Sequence, residues 1–138
     1  MFKRLLLIAI CAGFLAGGAH AAGCALEGGE PIAEIEELHQ LLLDQEYPVF
    51  AERIQALTNV SAGEGMQNVA NAFPGGFQGC TTILQRRDVG GMVQSFVVFY
   101  SASGPLFVYW WSATINGEFK VFNFYLNNEP SKVLERMR

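Results

Sequence analysis

The sequence is short of the residues from which most active sites and polyanion-binding surfaces are built. It has two histidines, His20 and His39, and nine lysines and arginines against thirteen carboxylates. Past the first four residues the only adjacent basic pair is Arg86-Arg87, and with Asp88 it reads as a solvated turn. Polyanions are held by counterion release onto clustered Lys and Arg, so nucleic acid is excluded as a partner and an anionic membrane surface is disfavoured. Ser95, Ser101, Ser103 and Ser112 lack a Gly-x-Ser-x-Gly frame. No acid-base pair or metal-ligand set is visible in the spacing, so no catalytic residue, metal or cofactor is expected. His39 lies three residues after Glu36 and five before Asp44, which gives it at best one carboxylate neighbour on a helix face. It reads as a surface or boundary residue.

No apolar run is long enough for a membrane span either. The run from Leu5 to Ala19 falls short of the about 20 residues a bilayer requires and carries Gly17 and Gly18 near its end. Preceded by Lys3 and Arg4 and followed by Ala19-His20-Ala21, it has the charged, apolar and small-x-small parts of a cleavable secretory signal, residues 1–21. The expected mature chain of about 117 residues suits one hydrophobic core: residues 22–30 as a linker, then one domain over 31–138. Without Lys3 and Arg4, seven basic residues face thirteen acidic ones, a net charge of −6. The expected location is periplasmic or secreted.

Three cysteines are present, and Cys11 leaves with the signal. Cys24 and Cys80 then form an even pair in a compartment where disulfides persist, and they are expected to be bonded. The competing reading comes from Ala21-Ala22-Gly23-Cys24, which is similar to a lipobox and would make Cys24 an acylated first residue. Only lipidation would bring the chain to a membrane, and it excludes the disulfide. A bonded Cys80 in turn excludes a thiol nucleophile paired with His39.

The rest of the chain divides into helices, then strands. Ile32, Ile35, Leu38, Leu41 and Leu42 recur at helical spacing and predict a helix over Ile32 to about Gln45, with Glu34, Glu36 and Glu37 in its first turns. Pro48 opens a second helix up to about Leu57, and a third is predicted from Ala62 to Ala72. Pro74-Gly75-Gly76 ends that half. β-Branched and aromatic runs follow at Cys80–Arg87, Met92–Ser101, Leu106–Ile115 and Glu118–Leu126, separated by short breaks, which predicts a four-stranded antiparallel meander.

Asn116-Gly117 fixes a register, because both central residues of a type I′ turn take positive φ. Ile115 should pair with Glu118, Ala113 with Lys120, Trp111 with Phe122, Tyr109 with Phe124 and Phe107 with Leu126, on a face expected to pack against the helices. The other face would carry Trp110, Ser112, Asn123 and Tyr125, too apolar to stand bare in water and supplied with polar handles. These four are the candidate binding residues, with Trp111 expected in the core.

N-terminal helices followed by a meander ending in Asn116-Gly117-Glu118-Phe119-Lys120-Val121-Phe122-Asn123-Phe124 resemble the nuclear-transport-factor-2-like or cystatin-like α+β superfamily over Ile32 to Leu126. The resemblance implies a curved sheet wrapped on a helix as a cone, with a ligand, an active site or nothing inside it and an outer face that makes dimers. Enzymatic members place an Asp or His base inside the cone, whereas the strand half here offers only Asp88, in a turn. Fold does not fix function. The expectation is therefore a noncatalytic exported binding or interaction module using one sheet face, with a homodimer, an envelope protein or a small apolar ligand as partner. The alternatives are a ligand-binding or enzymatic cone and a lipoprotein subunit of an envelope assembly.

Overall fold

The computed structural model describes residues 23, 24, 26, 27 and 29–137; the expected signal, 1–21, lies outside them. Three helices come first: α1 (Ala33–Leu43), α2 (Tyr47–Thr58) and α3 (Gly63–Ala72). Four strands follow, β1 (Gly79–Arg87), β2 (Val93–Ser101), β3 (Gly104–Ile115) and β4 (Glu118–Asn127), and a five-residue helix α4 (Pro130–Leu134) ends the order. The fold is α+β, and the open antiparallel sheet runs β1-β2-β3-β4. Among the described residues no helix is long and apolar enough to cross a membrane.

Local chemistry explains the boundaries. α1 buries Ile35, Leu38, His39 and Leu42 on one stripe. α2 takes Pro48 in its first turn, where a missing N–H costs nothing, and stops at Asn59, which adopts left-handed φ of 59°. Asn116 and Gly117 have φ of 53° and 79°, as a type I′ hairpin requires.

The hairpin register holds only near its turn. Ile115 pairs with Glu118 and Ala113 with Lys120, but Trp111 pairs with Asn123, Tyr109 with Tyr125 and Phe107 with Asn127. The expected pairings of Trp111, Tyr109 and Phe107 are overturned by a β-bulge that leaves Phe122 as an extra residue. Because side chains alternate with period two, one inserted residue moves Phe124 and Leu126 to the face of Trp110 and Val108. That gain makes the Trp110 face the more apolar one, and the helices cover it. The two faces are thus exchanged relative to the sequence expectation. A second bulge, at Ile83, interrupts the β1–β2 ladder.

Phe50, Leu42, Ile54, Val97, Phe99, Val108 and Trp110 are all fully buried between helices and sheet. Trp110 stacks on Phe124 at 5.5 Å, and Phe99 meets Phe77 edge-on at 5.4 Å. A smaller cluster on the opposite face gathers Phe96, Tyr109 and Val133, with Phe107, Trp111, Tyr125 and Met137 packed around it. Val133 belongs to α4, so the second face is covered in part by the chain's own C-terminal turn.

Candidate functional site

Two places combine chemistry with an unusual setting. The first is buried. Cys24 is bonded to Cys80, 56 residues away. Its N–H donates to Glu36 Oε2 at 2.8 Å, and its carbonyl accepts from the Thr82 N–H at 2.8 Å and from the Thr82 hydroxyl. Part of the expected linker is therefore fixed across α1 and the edge of β1. The disulfide occupies the sulfur that lipidation of Cys24 would require.

Glu36 faces His39 one turn further on, with Oε1 3.4 Å from Nδ1, longer than an ordinary N–H···O bond. Nδ1 has no hydrogen-bond partner. Nε2 accepts the indole N–H of Trp110 at 2.9 Å. That donor assigns the ring proton to Nδ1, on the side of Glu36. Burial pushes the Glu36 carboxyl up, but contact with His39 and the bond from the Cys24 N–H outweigh it, and the group is held below the ordinary carboxylate value.

His39 is 1% exposed, which corrects the expected surface or boundary position. The Trp110 partner, 71 residues on, was invisible to local spacing. Cys24, Glu36 and His39 offer ligand atoms within 4.8 Å of one another, a grouping the sequence reading also missed. The sulfur is oxidised, Nε2 is occupied and Nδ1 carries the proton, so the set supplies neither a thiolate nor a free imidazole nitrogen. The arrangement ties the N-terminal segment to the core and seals His39 from solvent.

The second place is the opposite sheet face. The structure does not bring the four candidate binding residues together. Trp110 and Ser112 are buried under the helices, at 0% and 1% exposure, whereas Asn123 and Tyr125 lie on the α4 side. There they line an open groove of about 490 Å³ with Lys132, Glu135 and Arg136, and the Arg136 guanidinium sits 4.5 Å over the Tyr125 ring. Behind them Tyr109 donates to Gln94 at 3.0 Å, and Gln94 donates to Asp88 at 2.6 Å. Bonds from Gln94 and Arg86 hold the Asp88 carboxyl below its ordinary value.

This face also carries apolar surface. Of nine large hydrophobic side chains exposed among the described residues, six lie on it or on α4: Ile83, Leu84, Tyr100, Ile115, Phe122 and Leu134, each 44% to 50% exposed. The bulge at Ile83, which sequence periodicity does not reveal, brings Leu84 opposite Phe96 on this face, while Phe122 stays beside Trp111.

The chain matches no family model, no curated protein and no solved structure.

Proposed function

We propose that the chain is an exported, noncatalytic protein-interaction module that works through the sheet face bearing α4. The carrying observation is that six of the nine large apolar side chains exposed among the described residues lie on that face or on α4, with Ile83 and Tyr100 lining one hollow, a bias that marks a docking surface. Export is supported by the signal-like first 21 residues and by the Cys24–Cys80 bond, a kind of link that persists in oxidising compartments. An enzymatic site beneath the helices has little to draw on, because His39 is sealed and packed against the rings of Phe99 and Trp110.

A second reading, binding of a small uncharged ligand, rests on an open cleft of about 330 Å³ beside α3, with Val69, Phe73, Leu106 and Leu126 below and Asn68, Asn127 and Asn128 at its rim. A thermal-shift screen of neutral metabolites tests it.

For the main reading, a photo-crosslinking residue is placed at Tyr100 and, separately, at Glu34 on α1 in the exported protein. Protein adducts are expected from position 100 and not from position 34. Adducts from position 34 alone, or from neither, refute the module.

A further inference from the structure

On the reading just given, we infer that the partner of the α4 face is held by its own chain end: the groove beside α4 takes the C-terminal carboxylate of a polypeptide, and Arg136 pairs with it. Three properties of the groove select that occupant.

The first is an unpaired cation. Six lysines and arginines lie among the described residues, and five contact a carboxylate: Arg53 meets Glu37, Arg86 meets Asp88, Arg87 meets Glu30, Lys120 meets Glu118 and Lys132 meets Glu129. Arg136 makes no such pair among them, although thirteen carboxylates face nine basic residues in the chain. Its guanidinium rests 4.5 Å over the Tyr125 ring, which holds it in place and leaves its N–H donors unspent. A guanidinium presents these donors as a planar fork that matches the two oxygens of a carboxylate.

The second is what surrounds it. Asn123, Tyr125, Lys132 and Glu135 line the same groove as Arg136. The Tyr125 oxygen accepts from Asn127 at 3.2 Å, so its own O–H is left to donate, and the Asn123 amide has no partner among the described residues. The lining residues carry two positive charges and one negative, an excess that a monoanion neutralises and a phosphate dianion overshoots.

The third is size. At about 490 Å³ the groove has room for several residues of a peptide rather than a lone carboxylate. Phe122 and Leu134, exposed and next in sequence to Asn123 and Glu135, offer apolar surface to the residues that precede the chain end. Capture of a terminal carboxylate is a recurring mode of peptide recognition. A partner bound through many Asp and Glu side chains is repelled by this acidic chain, whereas a chain end brings a single negative charge.

Retention of the exported, disulfide-bonded protein on peptide beads tests this. The peptides have randomised C-terminal residues with Asp and Glu left out, and they end either in a free carboxylate or in an amide. The free-acid beads are expected to hold the protein about tenfold or more better than the amide beads. Arg136→Gln removes that difference, and its position is exposed, so the fold survives. Arg53→Gln, on α2, leaves it unchanged. Equal retention by the two kinds of bead, wild-type behaviour of Arg136→Gln, or an equal loss in Arg53→Gln overturns the inference. Amide beads whose peptides contain Glu, if they match the free-acid beads, overturn it by assigning the site to acidic side chains. N-acetylleucine, if it elutes the protein as well as a free-acid peptide does, overturns it by assigning the site to small organic acids. The crosslinking experiment separates the two claims. Adducts at position 100 beside equal retention of acid and amide remove chain-end capture and keep the module; no adducts beside selective retention on acid remove the module and keep Arg136 as a carboxylate site.

Discussion

Trp110 and His39 stand 71 positions apart in the sequence and share a 2.9 Å hydrogen bond at the centre of the main core. The bond joins the sheet to α1, and Glu36 and Cys24 extend it to the N-terminal segment. His39 Nε2 satisfies the Trp110 N–H and Glu36 satisfies the Cys24 N–H, so deleting either acceptor orphans a donor, and an orphaned group costs more than the bond itself contributed.

The two tryptophans should therefore behave oppositely to their sequence-based assignment. Trp110→Ala should cost about 3 to 5 kcal/mol in urea unfolding, as a core truncation does. Trp111→Ala, at a half-buried position, should cost clearly less. His39→Ala should cost about 2 kcal/mol or more, through the lost ring and the unpaired Trp110 N–H. A smaller loss for Trp110→Ala than for Trp111→Ala would mean that the faces are assigned the wrong way round.

Acid should act through Glu36. Its folded-state pKa lies below the unfolded value, so its contribution to stability is fully present above the ordinary carboxylate range and is lost as pH falls through the folded pKa. Glu36→Gln should lower stability at neutral pH and flatten the acid limb of the stability profile. The limb should not vanish, because Asp88 is shifted in the same direction. An unchanged limb in the variant would show that Glu36 is not the titrating group.

The covalent link makes the plainest forecast. Oxidised protein should show no free thiol at Cys24 or Cys80 in denaturing labelling, and no acyl mass on Cys24. Closing a 56-residue loop contributes about 4 kcal/mol in the chain-entropy model, so Cys80→Ser should lower the urea midpoint accordingly. A labelled Cys24 in protein from an oxidising compartment would contradict the pairing.

Val133 is the anchor of α4 and has no exposed surface. Val133→Asp should release the helix, uncover Phe96 and Tyr109 and raise the fluorescence of a hydrophobic dye, while the main core still unfolds cooperatively. Loss of all near-ultraviolet dichroism would show that the two clusters are one unit.

Much of the fold was legible because its signals are local. Ile35, Leu38 and Leu42 mark α1 by spacing, and Asn116-Gly117 sets a hairpin by backbone sterics alone. What escaped is non-local or small. The Phe122 bulge is chosen by which register buries more apolar surface against α2, a tertiary decision with no signature in β4 itself. α4, at five residues, is too short for periodicity to register and owes its place to Val133. His39 looked unremarkable beside Glu36 because its partner is supplied by β3. Of the candidate binding residues, Asn123 and Tyr125 share a face with α4 while Trp110 and Ser112 do not, and the same single bulge accounts for the split.

That bulge has a further effect at the margin of the sheet. β4 is a terminal strand, and an extra residue at Phe122 breaks the regular row of backbone groups that an incoming strand would need. At the other margin the Cys24 carbonyl already accepts the Thr82 N–H of β1. Both rims are thus ill suited to templating a neighbour, and lateral growth into a fibril is resisted on either side.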